Sequence, residues 1–126
     1  MNTKFLMGAS AIVLGLLGAA GLFAPHEILA ALKVSGGAIV PVMVQLHAAA
    51  LLAFAMVNWT AKESLIGGIY GRAIGIGNLT HFTIGAIALV KAASAAPMLY
   101  GAAAVYGVFA VAFGIVFFGS PVRAGA

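Results

Sequence analysis

The chain has 126 residues, 64% of them hydrophobic and 6% charged, with Glu27 and Glu63 as its two carboxylate side chains. Soluble domains carry about 25% charged residues, so this chain has too little polar surface to face water and belongs in a bilayer. Its net charge of +4 comes from six basic residues scattered singly at the edges of apolar runs, which excludes a nucleic-acid surface, and the lack of cysteine excludes disulfides, thiol chemistry and Cys-ligated metals.

A helix needs roughly 20 apolar residues to cross the hydrocarbon core. Four stretches meet that need without a Lys, Arg, Asp or Glu: residues 5–24, 38–57, 73–90 and 98–118. Residues 1–126 are therefore expected to form a single four-span transmembrane domain. The joins are short, so the expected fold class is all-α, an up-down antiparallel bundle of four transmembrane helices.

The opening "MNTKFLMGASAIVLGLLGAAGLFAP" has the look of a signal peptide, with Lys4 as its basic region. Its apolar run is long for that role, and an uncleaved first helix is expected. Small residues along it (Gly8, Ala11, Gly15, Gly18) recur at steps of three and four, the spacing of a packing seam in lipid, where close backbone approach replaces the hydrophobic effect as the driving force. "PHEILAAL" (residues 25–32) follows. Pro25 suits the first position of a helix and Glu27 its first turn, so a short interfacial helix on the outer surface is expected here.

The second span carries Pro41 early, where a lost backbone hydrogen bond costs least, and then Gln45, His47 and Asn58. The third begins after "NWTAKESLIGGIYGR" (residues 58–72), where Trp59 and Tyr70 suit interfacial anchoring and Lys62 and Arg72 reach for head groups. Trp59, Tyr70 and Arg72 are thus candidate contacts for lipid or a partner, and Glu63 a counter-ion for either Lys62 or Arg72. Gly77, His81 and Gly85 form a stripe along the third span. Asn78 and His81 lie three residues apart on one face, as His47 and Asn58, eleven apart, do on the second span. Asn58-Trp59-Thr60 and Asn78-Leu79-Thr80 match the glycosylation pattern, but one sits on the expected cytoplasmic side and the other in lipid. The fourth span repeats the small-residue seam with Ala103, Gly107, Ala110 and Gly114. It is bracketed by Pro97 and Pro121.

Polar groups inside a bilayer are expensive and face the bundle interior by default. With a rise of 1.5 Å per residue, His47 and His81 fall at similar depth near the midplane. Gln45, His47, Asn78 and His81 are therefore the candidate ligand-binding residues, and three readings stay open for them. They hydrogen-bond one another and fix helix register; or they form a site for a quinone or lipid head group; or His47 and His81 hold a b-type haem, with the Gly77–His81–Gly85 stripe leaving a flat face beside the ring. Tight packing is the simpler account of the glycines at 8, 15, 77, 85, 107 and 114. Neither a hydrolase elbow, a phosphate loop, a zinc-protease motif nor a carboxylate pair is present, so no catalytic residue and no metal site is assigned and an enzyme is not expected.

Counting bases near span ends puts Lys4, Lys62, Arg72 and Arg123 on one side and Lys33 and Lys91 on the other. The positive-inside rule then places both termini in the cytoplasm. With two small-residue seams and a glycine-rich third span, at least one seam is expected to face another chain, either a second copy in a homo-oligomer or a different membrane subunit.

The order of these features resembles a broad group of small bacterial four-helix inner-membrane proteins, the DoxX-like type and its relatives. The stretches that carry it are "LFAPHEILAALK" after the first span, "NWTAK" after the second, and "GGIYGRAIGIGNLTHFTIGAIALVKA" through the third. The resemblance implies a multi-pass protein of the bacterial inner membrane, and the expected role is that of an accessory or structural subunit of a larger assembly. Because DoxX relatives include subunits of quinone-reducing respiratory enzymes, it also implies a redox or quinone-binding module as the alternative. It carries over no catalytic residue.

Overall fold

A computed structural model describes residues 2–64 and 69–119, with backbone only at Ile69 and Tyr70. The described part is helical: α1 (Thr3–Phe23), α2 (Pro25–Ala31), α3 (Ile39–Ala61), α4 (Ile69–Ala93) and α5 (Leu99–Gly119). Four of these are long and apolar enough to cross a membrane, namely α1, α3, α5 and the Gly71–Ala93 part of α4. The expected spans are thus all found as helices, each with somewhat different ends. Arg123, Pro121 and the side chain of Tyr70, to which the sequence assigned orientation, a helix end and anchoring, lie outside the described residues.

The local reasons for these elements are legible. The Asn2 side-chain oxygen accepts the Phe5 N–H at 3.2 Å, capping the start of α1. Helix α2 opens on Pro25 and has Glu27 in its first turn. It closes in a Schellman motif, with Val34 N–H on the Leu29 carbonyl and Lys33 N–H on that of Ala30. Lys33 takes the left-handed conformation (φ 56°) that this motif usually gives to glycine. Pro41 lies in the first turn of α3, where it removes no helical hydrogen bond.

The chain divides into two compact units, Met7–Thr60 and Met1–Leu6 with Ala61–Ala126. Within the first, α1 packs on α3. A Cβ at Gly15 would lie 3.7 Å from that of Ala55, at Gly18 2.7 Å from Leu52 Cγ, and at Gly21 2.9 Å from the Ala48 Cβ. Partner numbers fall along α3 as they rise along α1, so these two helices run in opposite directions. Leu14 of α1 and Ala48 of α3 are buried.

Within the second unit α4 and α5 are paired. Phe82 is fully buried and stacks on Phe109 (4.8 Å between centroids) and Phe113 (5.7 Å). Gly85 meets Tyr106, and Leu79 meets Gly114. Here too the numbering is opposed. At the start of α1, Lys4 Nζ lies 2.8 Å from Glu63 Oε1, an exposed pair. The carboxylate thus pairs with Lys4, a base distant in sequence, with the Lys62 charge acting on it as well.

Candidate functional site

Polar side chains of the spans fall in three groups, two on the α1–α3 pair and one on α4. The first is at one end of the α1–α3 pair. Ser10 and Asn58 are both fully buried, Asn58 Nδ2 donates to Ser10 Oγ at 2.9 Å, and the Ser10 hydroxyl donates to the Met7 carbonyl at 2.9 Å. The serine oxygen therefore accepts and donates at once, which polarises both bonds. Ser10 was missed as a functional candidate. Its signal is plain in retrospect, since it is the lone polar residue between positions 5 and 24. Asn58, eleven residues after His47 on the same helix, serves as this interhelical link.

The second place is the other end of the same pair, where Gln45 Nε2 donates to the Leu22 carbonyl at 3.3 Å. That bond supplies an acceptor-rich helix end with a donor, since the last carbonyls of a helix lack intrahelical partners. His47, two residues on, is exposed on α3.

The third lies in α4. Asn78 is fully buried, and its Nδ2 donates to the Ile74 carbonyl one turn earlier at 3.0 Å. The half-buried His81 ring sits 5.3 Å from Phe82 and 5.4 Å from Tyr106. Gln45 and His47 belong to one compact unit, Asn78 and His81 to the other.

The glycine stripe has a concrete occupant. A Cβ at Gly85 would come within 2.6 Å of both Cδ1 and Cε1 of Tyr106. The flat face that the sequence offered to a planar ring is, at this end, covered by a tyrosine. Tyr106 is itself buried and meets Phe82 edge-on at 5.1 Å. A haem laid on the Gly85 end of the stripe would have to displace it. Tyr106, Phe82, Phe109 and Phe113 were not singled out from sequence, although positions 106, 109 and 113 show a helical stripe of aromatics.

Two further features lie on the surface. A shallow apolar groove of about 210 Å³ on the α1–α3 pair is lined by Ala11, Ile12, Gly15 and Leu52 with Ala55, Met56 and Trp59. On the other pair, the exposed Arg72 guanidinium carbon lies 5.6 Å from the centroid of the Phe117 ring, within cation–π range. Among the described residues no group of three or more His, Cys, Asp or Glu is placed to hold a metal ion.

The glycines sort by surroundings. Gly15, Gly18 and Gly21 pack on α3, and Gly114 is 3.7 Å from Leu79 by the same Cβ construction. At Gly8 and Gly107 a Cβ would meet nothing within 4 Å. Thus the first-span seam is largely used inside the chain, and on the last helix Gly107 faces open space while Gly114 does not.

Comparison with known proteins returns no match: no family model, no curated protein and no solved structure is similar to the chain.

Proposed function

We propose that this chain is a small multi-pass protein of the bacterial inner membrane, built as an up-down antiparallel four-helix bundle with α2 lying at the outer interface. Its role is that of an accessory or structural subunit in a larger membrane assembly. The observation that carries this reading is how polar and apolar groups are distributed on the long helices. Their outward faces expose large apolar side chains such as Leu16, Leu46, Ile84, Val108 and Ile115, while Ser10, Asn58 and Asn78 are fully buried. The hydrogen bonds described above for these buried groups run to one another or to backbone carbonyls. Of these, the Asn58–Ser10 bond joins two helices and so supports a register-fixing role, the work of a scaffold.

The four-to-two bias of bases supports placing both termini in the cytoplasm. The Lys4–Glu63 contact supports a shared side for the N-terminus and the α3–α4 connection, because it brings the start of α1 to that connection. Single cysteines at Ser35 and Ser64 in the cysteine-free chain test this. Periplasmic labelling of position 64 with 35 protected would reverse the orientation. Resistance of the protein to carbonate extraction tests membrane insertion itself.

Assembly is tested at Gly107, where a Cβ would meet nothing among the described residues within 4 Å. In native membranes solubilised in mild detergent, the protein is expected in a complex larger than a monomer. Gly107→Leu is expected to release it while helical content is kept. A wild-type protein that migrates as a monomer would overturn the accessory-subunit reading.

A further inference from the structure

We propose that Arg72, laid over the Phe117 ring at one end of the α4–α5 pair, is a docking site for an anionic phospholipid head group. The inference rests on the membrane-spanning reading above. It adds a ligand of defined chemistry.

Bases outnumber carboxylates in this chain, six Lys and Arg against two Glu. Among the described residues Glu63 is engaged by Lys4 at 2.8 Å, and Glu27 belongs to α2. Among the described residues Arg72 meets the Phe117 ring, at 5.6 Å. Contact with the ring desolvates a face of the guanidinium and restricts its rotamers, yet satisfies none of its five N–H donors. Those donors sit on a side chain that is exposed. They are matched in geometry to a phosphate, which a guanidinium engages with two parallel hydrogen bonds.

Arg72 also lies at a defined depth. It follows Gly71, where the apolar part of α4 begins, and Phe117 is two residues from the end of α5. This is head-group level in a bilayer, where the available anions are phosphodiesters. Beside the guanidinium the surface turns apolar: Phe118 is 79% exposed and packs edge-on against Phe117 at 5.0 Å. A free phosphate gains nothing from that exposed ring, whereas the glycerol and first acyl carbons of a lipid bury it. The pairing of a fixed cation with an exposed aromatic therefore selects lipid over a soluble anion.

The test uses the full chain in detergent micelles, titrated with phosphatidylglycerol or phosphatidylcholine and read by lipid retention in native mass spectrometry. Phosphatidylglycerol is expected to be retained in preference to phosphatidylcholine. Arg72→Gln is expected to weaken that retention about fivefold, the equivalent of about 1 kcal/mol per base at an anionic surface. Lys91→Gln, which removes the same charge from the far end of α4, is expected to leave retention unchanged. Arg72→Lys keeps the charge without the planar fork and is expected to fall between, so the proposal stays testable if the glutamine variant does not fold. Equal retention of the two lipids would overturn it. So would equal losses in the Arg72→Gln and Lys91→Gln variants, which would mean a net-charge effect. Displacement of phosphatidylglycerol by millimolar inorganic phosphate would show a soluble-anion site and overturn the lipid assignment. Carbonate extraction reports separately on whether the chain spans the membrane at all, and complex size in native membranes on its role as a subunit.

Discussion

Replacing Gly18 by alanine puts a methyl group into the tightest of the glycine contacts between α1 and α3. The new Cβ would lie 2.7 Å from Leu52 Cγ, 3.1 Å from its Cδ2 and 3.0 Å from the Ala48 carbonyl oxygen. Overpacking of this kind costs about 1–3 kcal/mol. Two features hold the cost to the lower part of that range. Leu52 lines the apolar groove and can turn into it, whereas the Ala48 carbonyl is fixed in the α3 backbone and can only move with its helix. Alanine also favours the helix by about 1 kcal/mol over glycine, which masks part of the clash. Gly107→Ala provides the matched control, since its Cβ would meet nothing within 4 Å and it gains the same propensity term. The two variants are therefore expected to differ by about 1–2 kcal/mol, with Gly18→Ala the less stable. Dodecyl sulfate titration of the monomeric protein in detergent, followed by circular dichroism at 222 nm, measures that difference. If Gly18→Ala unfolds at the same or a higher dodecyl sulfate fraction than Gly107→Ala, α1 does not rest on α3 through Gly18.

A double-mutant cycle on Ser10→Ala and Asn58→Leu is expected to give a coupling of about 0.6 kcal/mol and no more than about 1.7, the range for interhelical hydrogen bonds in lipid; additivity would mean that the 2.9 Å bond contributes nothing. Phe82→Ala is expected to destabilise by about 3 kcal/mol, the low end for a buried phenylalanine because lipid is as apolar as the core, and Phe118→Ala, at an exposed ring, by a small fraction of that; equal effects in the same titration would refute the aromatic core. The hydrogen bond from Lys4, aided by the charges of Lys4 and Lys62, holds the Glu63 carboxyl below its ordinary value. The group's folded value is thus depressed, so the stability it contributes is full above the ordinary carboxylate value and disappears as pH falls through the lowered one. Lys4→Gln is expected to raise the Glu63 titration midpoint in carboxyl-detected NMR, with little change in stability because the pair is exposed; an unmoved midpoint would exclude the contact.

Composition and hydropathy by themselves determine that this chain makes four long apolar helices, because a backbone in lipid must satisfy its own hydrogen bonds and a helix does so without help from elsewhere in the chain. Turn chemistry does nearly as well: Pro25 and Glu27 mark the start of α2, and Pro97 lies just ahead of α5. Boundaries differ from the hydropathy pattern where a polar or charged residue stands near a helix end. The second span was expected to end at 57, yet α3 runs to Ala61, because Asn58 is buried against Ser10. The third was expected over residues 73–90, and α4 reaches from Ile69 to Ala93 because Arg72 and Lys91 extend out of an otherwise apolar helix. What only the tertiary structure decided is which way each helix turns. A helix apolar all round gives no direction for its core, so azimuth is set by shape: Gly18 receives Leu52, Gly85 receives the Tyr106 ring, and Gly107 receives nothing within 4 Å. Three glycines that look alike in the sequence thus have three different fates, because in lipid it is the fit of one surface against another, rather than its flight from water, that chooses helix partners.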